Sequence, residues 1–246
     1  TAFDEWDTIY TDVVMQEPHI LKGGCTSMPE SVSPTCSAVT GEHFSATACM
    51  IFENCKTMQD RCGYPCDVLS LIGQRIQRVD VDTFRVSNST ISTGLTTLFM
   101  SKNSLSYIAD GAFSDFEALQ FLFFPDNRLE SVSPGVFNGI RDTLYMLDLS
   151  VNSIRDLSFL SEGPEFSNLS ILKIYKNLIE DLPSLAFVKL PLLHELLIGS
   201  NPIREIREHA FQGTMLVHIN LRGLGLERVH KRAFSNSSLR NIDLRF

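Results

Sequence analysis

The chain has 246 residues, 43% of them hydrophobic, enough for a substantial core in one elongated domain or two compact ones. Its net charge of -8 argues against a nucleic-acid partner, because phosphate binding needs clustered Lys and Arg to displace counterions. No run approaches the roughly 18 apolar residues of a membrane span, and the first residues lack a basic-then-apolar leader pattern, so the sequence reads as a mature soluble chain or a soluble ectodomain.

Residues 1–24 form an N-terminal arm in which Phe3, Trp6, Tyr10 and Val13 recur at roughly helical spacing among acids, as a short docked helix or an irregular arm. Residues 25–66 hold every cysteine of the chain: Cys25, Cys36, Cys49, Cys55, Cys62 and Cys66. An even number in a stretch rich in Ser, Thr and Pro points to three disulfides and an oxidising compartment, with fifteen pairings open. Zinc is the weaker reading. Cys62 and Cys66 are spaced C-x3-C, and no second close Cys or His pair completes a tetrahedral set, so no metal is expected. Three Asn-x-Ser/Thr sequons, at Asn88, Asn168 and Asn236, fit the same secreted chain as glycosylation sites.

From residue 67 onward a period governs the sequence. "LTTLFMSKNSL" from Leu95, "LQFLFFPDNRL" from Leu119, "LYMLDLSVNSI" from Leu144, "LSILKIYKNLI" from Leu169 and "LHELLIGSNPI" from Leu193 share one pattern, L-x-x-L-x-L-x-x-N-x-L. The asparagines are Asn103, Asn127, Asn152, Asn177 and Asn201, in steps of 24, 25, 25 and 24. Gln74 and Leu224 replace the asparagine in two flanking copies, and "LRNIDL" from Leu239 begins an eighth. One such unit cannot bury its own leucines, so stacked copies must share a continuous core. The asparagine amide both donates and accepts, which suits backbone groups left where the chain leaves each strand. Ten residues beyond each ladder position lies a second register, Phe84, Phe113, Phe137, Phe187, Phe211 and Phe234, expected as a buried aromatic spine. It fails at Glu162, where Phe159 or Phe166 must substitute from an irregular return loop. The step of 29 from Gln74 to Asn103 adds five residues around Asn88, read as a solvated, glycosylated bulge.

These motifs resemble the extracellular leucine-rich repeat family of the 24-residue type, found in Toll-like and chaoptin-like receptors, adhesion proteins and matrix proteins. Over about residues 66–246 the resemblance implies an α/β-type solenoid: curved and right-handed, with short parallel concave strands, about eight repeats and a disulfide-rich N-terminal cap. Residues 25–66 resemble that cap in role. Cys66 stands at the first leucine position of its repeat, where it would staple cap to solenoid. The expected organisation is an arm (1–24), a cap (25–66) and a solenoid (67–246) whose last repeat is incomplete.

Residues two, four and six before each ladder position point out of the leucine core, because side chains alternate along a strand. Six before, the column runs Thr97, Phe121, Met146, Ile171, Glu195, His218; four before, Phe99, Phe123, Asp148, Lys173, Leu197, Asn220; two before, Ser101, Pro125, Ser150, Tyr175, Gly199, Arg222. From these the partner-binding residues are expected to be Phe99, Phe121, Phe123, Met146, Asp148, Ile171, Lys173, Tyr175, Glu195, Leu197, His218 and Arg222. The aromatic group at Phe99, Phe121 and Phe123 is a contiguous patch of the kind that marks an interface, unless the N-terminal arm folds back over it. Asp148 beside Lys173 and Glu195 beside His218 read as exposed ion pairs. Catalysis needs a nucleophile or base, an orienting partner and exclusion of water. Only Glu195 and His218 approach that, on an open face with no nucleophile, and no phosphate loop, H-E-x-x-H or G-x-S-x-G is present, so neither an enzyme nor a cofactor is expected. The expected role is a secreted or cell-surface module that binds a protein on its concave face. The alternative is a non-catalytic accessory subunit of a secreted complex. At the C-terminal edge, Leu239, Ile242 and Leu244 would otherwise be bare, so either the chain continues or the edge is buried in a homo- or hetero-oligomer.

Overall fold

The computed structural model describes residues 68–245, apart from 82, 87, 88, 91–93 and 236. The N-terminal arm, the six cysteines of the expected cap, Asn88 and Asn236 lie outside these residues. Each repeat contributes one three-residue strand, from Val68–Ser70 through Thr97–Phe99, Phe121–Phe123, Met146–Asp148, Ile171–Lys173, Glu195–Leu197 and His218–Asn220 to Asn241–Asp243. The eight strands pair in chain order as one parallel sheet. The middle residue of every strand faces the core, so Leu69, Leu98, Leu122, Leu147, Leu172, Leu196, Ile219 and Ile242 form one unbroken register.

The asparagine ladder is what holds successive turns in that register. Asn127 Nδ2 donates to the carbonyls of Met100 (2.9 Å) in the preceding repeat and Phe124 (3.0 Å) in its own, while its Oδ1 accepts from Leu105 N (3.0 Å). Asn103, Asn152, Asn177 and Asn201 repeat the pattern, each bonding its own and the previous repeat. Polar groups buried in a stack need such partners, since each one left open costs about 1–3 kcal/mol. Leu224 is buried at the next position and has no amide to offer, so the ladder ends at Asn201. A second regularity escapes the repeat pattern. The residue just before the ladder position has positive φ in every repeat from Gly73 to Gly223, including Lys102, Asp126, Val151, Lys176 and Ser200. Glycine takes this conformation freely, whereas a β-branched residue such as Val151 does so under strain.

The return segments are mostly turns, and among the described residues helix is confined to single turns at Pro134–Phe137 and Ser158–Ser161. The aromatic spine forms as expected, with Phe187 on Phe211 (5.7 Å) and Phe211 on Phe234 (5.2 Å) in near-parallel stacks. Where the register fails, Phe159 and Phe166 both fill the gap, 6.0 and 5.6 Å from Phe137. Arg141 anchors this irregular loop. Its guanidinium lies 4.2 Å above the Phe166 ring and donates to the carbonyls of Pro164 (2.5 Å) and Pro134 (2.6 Å), and burial lowers its pKa. After Phe84, Arg85–Val86 and Ser89–Thr90 pair antiparallel.

Candidate binding surface

On the concave face the registers place the outward columns side by side. Phe121 pairs with Met146 and Met146 with Ile171; Phe99 pairs with Phe123, Phe123 with Asp148 and Asp148 with Lys173. Phe99, Phe123, Met146 and Ile171 form an apolar cluster distinct from the leucine core, with Ile72 and Phe121 packed at its margin. Phe99 and Phe123 stack at 4.7 Å with their planes 12° apart. The contiguous patch expected on this face is largely closed to solvent. Phe99 is 7% exposed, Phe123 8% and Met146 2%, because strands about 4.8 Å apart let large side chains close over one another. The accessible part is the margin, where half-buried Phe121 meets the exposed ring of Tyr145 edge-on at 5.8 Å. Tyr145 stands one residue before the strand, a position that simple alternation does not assign to either face.

Asp148 is also more internal than its column implied. Its Oδ1 accepts from Ser150 N at 2.9 Å, as Asn220 does for Arg222 N (2.9 Å) and Asp243 for Arg245 N (3.1 Å). Asp243 is held below the usual carboxylate range chiefly by the Arg245 side-chain hydrogen bond, against the opposing effect of burial. The sequence signal was present in "DLS", "NLR" and "DLR": a short polar side chain two residues before an amide it can cap.

The C-terminal half of the face is polar. Leu197 is buried, Lys173, Tyr175, Glu195 and His218 are half-buried, and Arg222 is exposed. Glu195 and His218 are register partners, yet no hydrogen bond or ion pair joins them. His218 Nδ1 instead meets Asn241 Nδ2 at 2.9 Å, and the His194 ring lies 6.4 Å away. The orienting contact of a general base is therefore missing between these two residues. Among the described residues no group of three or more His, Cys, Asp or Glu could hold a metal, and no helix is long and apolar enough to cross a membrane.

A family model described as "Leucine rich repeat" matches residues 167–225. Over 184 residues the chain is 22% identical to "Transforming growth factor beta activator LRRC33" of Danio rerio, covering 70% of this chain and 27% of that protein. Among solved structures it superposes on a chain of the TLR13-ssRNA13 complex with a TM-score of 0.62 and 23% identity, over 76% of this chain and 27% of that one. The chain has the fold of a leucine-rich repeat solenoid, and residues 167–225 match that family's repeat. It spans about a quarter of the length of either relative, so activation and RNA binding remain statements about those proteins. Within the leucine-rich repeat pattern the leucines and asparagines build the stack, which leaves the concave columns and the flanks to vary with function.

Proposed function

We propose that this leucine-rich repeat chain is a secreted or cell-surface module that recognises a protein partner through its concave face, as a receptor ectodomain, adhesion protein or matrix component. The observation that carries the reading is the apolar cluster of Phe99, Phe123, Met146 and Ile171, which lies outside the core that folds the solenoid. A solenoid has no folding need for large apolar residues in those columns; the four close over one another, and their accessible margin at Phe121 and Tyr145 is the aromatic surface an interface would use. In this reading Phe121 and Tyr145 make the first contact, the stacked phenylalanines form a firm floor, and Lys173, Tyr175, Glu195, Leu197, His218 and Arg222 supply polar selectivity beyond it. The test is affinity capture from extracellular fluid, followed by repeat capture with Phe121→Ala and Tyr145→Ala. A partner should be retained by the parent and lost by both variants, with melting temperature unchanged. Equal retention by the folded variants would remove the concave face from the reading.

A further inference from the structure

Consecutive repeats place Asn168, Leu192 and Met215 at one register position, each directly before the first leucine of its repeat. The pairing of Ile171 with Glu195, and of Glu195 with His218, sets that register. It continues back toward these residues, since His194 N donates to Ser170 O and Val217 N to His194 O, both at 2.9 Å. With strands about 4.8 Å apart, the three residues span roughly 10 Å along one flank of the solenoid, outside the concave columns. Leu192 is 41% and Met215 55% exposed, an apolar pair of neighbours that neither the leucine core nor the concave cluster uses. Asn168 is exposed at the head of this row and begins the sequon Asn168-Leu169-Ser170. Its turn is tied down, because Asn168 Nδ2 donates to Asp142 O and Ser167 Oγ donates to Asp142 Oδ1 at 2.5 Å.

We propose that Asn168 carries an N-linked glycan whose first sugars lie along Leu192 and Met215 and cover them. In the transfer, Nδ2 bonds to the anomeric carbon of an oligosaccharide, the sugar–phosphate bond of a polyprenyl-pyrophosphate donor breaks, and the carrier leaves as the pyrophosphate while the amide loses one proton. The second N–H stays available to Asp142 O, which fixes the direction in which the sugar leaves the surface. A sugar ring presents C–H faces as well as hydroxyls, so it can shield an apolar side chain while its hydroxyls remain in water. The glycan makes this flank a solvated surface and leaves the concave columns as the face open to a partner. The inference rests on the chain being exported, as proposed above.

The test uses the protein from its native source. Glycopeptide mapping before and after endoglycosidase treatment should find Asn168 occupied. Asn168 bare while Asn88 or Asn236 is occupied would overturn the proposal and leave export standing; all three bare with reduced cysteines would overturn export and the proposal with it. Shielding is read separately through Met215, the one exposed methionine among the described residues, whereas Met100 and Met146 are buried. Under dilute hydrogen peroxide, Met215 sulfoxide should form several-fold more slowly in the glycosylated protein than after enzymatic deglycosylation. Ser170→Ala destroys the sequon while keeping the Asn168 side chain, and it should match the deglycosylated rate; Ser170→Thr preserves the sequon and should match the parent. Equal rates in all four would show that the glycan does not lie along the ridge.

Discussion

The two halves of the concave face share one backbone and one register but have opposite characters. From Phe99 to Ile171 large apolar side chains on the outward face close over one another, with Asp148 among them; from Glu195 to Asp243 the outward side chains are mostly polar and bond locally. The strands of both halves are equally regular, so the difference owes nothing to the fold. It teaches that the leucine and asparagine positions settle geometry, while the intervening columns are free to become a second apolar cluster or a hydrated strip.

A charge placed at the outward or the inward face of one strand should disturb the molecule most. Phe124→Asp buries a carboxylate in the stack, where Phe124 is fully enclosed. It should cost more than about 4 kcal/mol and prevent cooperative folding, because an unpaired buried charge has no compensation. Phe123→Asp, one residue away, should cost clearly less, since its ring lies in the outer cluster and the substituted carboxylate can reach water. Urea unfolding of both variants checks the order, and equal losses would mean that the two clusters are energetically one.

A smaller loss should follow from Asn152→Ala. It removes the bond from Leu129 N and those to the Phe124 and Leu149 carbonyls; Asn127 and Asn177 still serve the two carbonyls, so Leu129 N is the group left without a partner. A loss of about 2–3 kcal/mol is expected. Asn220→Ala removes one bond at a half-buried site in the polar half and should cost about 1 kcal/mol or less. Chemical denaturation of the pair measures the contrast.

Acid should separate the halves without mutation. Glu205 is held below the usual carboxylate range first by the His230 hydrogen bond (2.7 Å), with Arg228 adding to it, and Asp243 by Arg245. Carboxylates with depressed folded pKa contribute stability that is fully present above their unfolded pKa of about 4 and is lost as pH falls through the lower folded value. Both groups belong to the C-terminal repeats. Hydrogen exchange at pH 7 and 5 should therefore show the same relative protection of the two halves, whereas below about pH 4 the C-terminal strands should open first. Uniform loss along the solenoid would contradict this.

The smallest effect sharpens the ladder itself. Val151 holds a φ of 54° directly before Asn152. Val151→Asn keeps a side chain there but tolerates the left-handed conformation, and should raise stability by about 0.5–1 kcal/mol in thermal unfolding.

The repeat, its register and the asparagine ladder were legible because a solenoid writes each contact many times over, and a residue type that recurs every 24 or 25 positions exposes its own role. The paired filling of the spine gap was half legible: the sequence offered Phe159 or Phe166, and the loop uses both. Arg141 gave no signal, because an arginine whose partners are two backbone carbonyls and a ring has no charge complement to be read. Tyr145 was missed for a different reason: it sits just before a strand, where alternation stops assigning faces.

Local chemistry written in the sequence was therefore sufficient for whatever recurs: which residues enter the core, which leave it, and where amides knit one turn to the next. Tertiary structure alone decided how the outward side chains treat one another. Phe99 and Phe123 are 24 residues apart in the chain but 4.7 Å apart between rings, and only the parallel stacking of their strands closes them against water. The same stacking turns Asp148 inward to a backbone amide and leaves Phe121 and Tyr145 at the accessible margin. Exposure is a property of neighbours, and in a solenoid the neighbours that matter lie one full turn away.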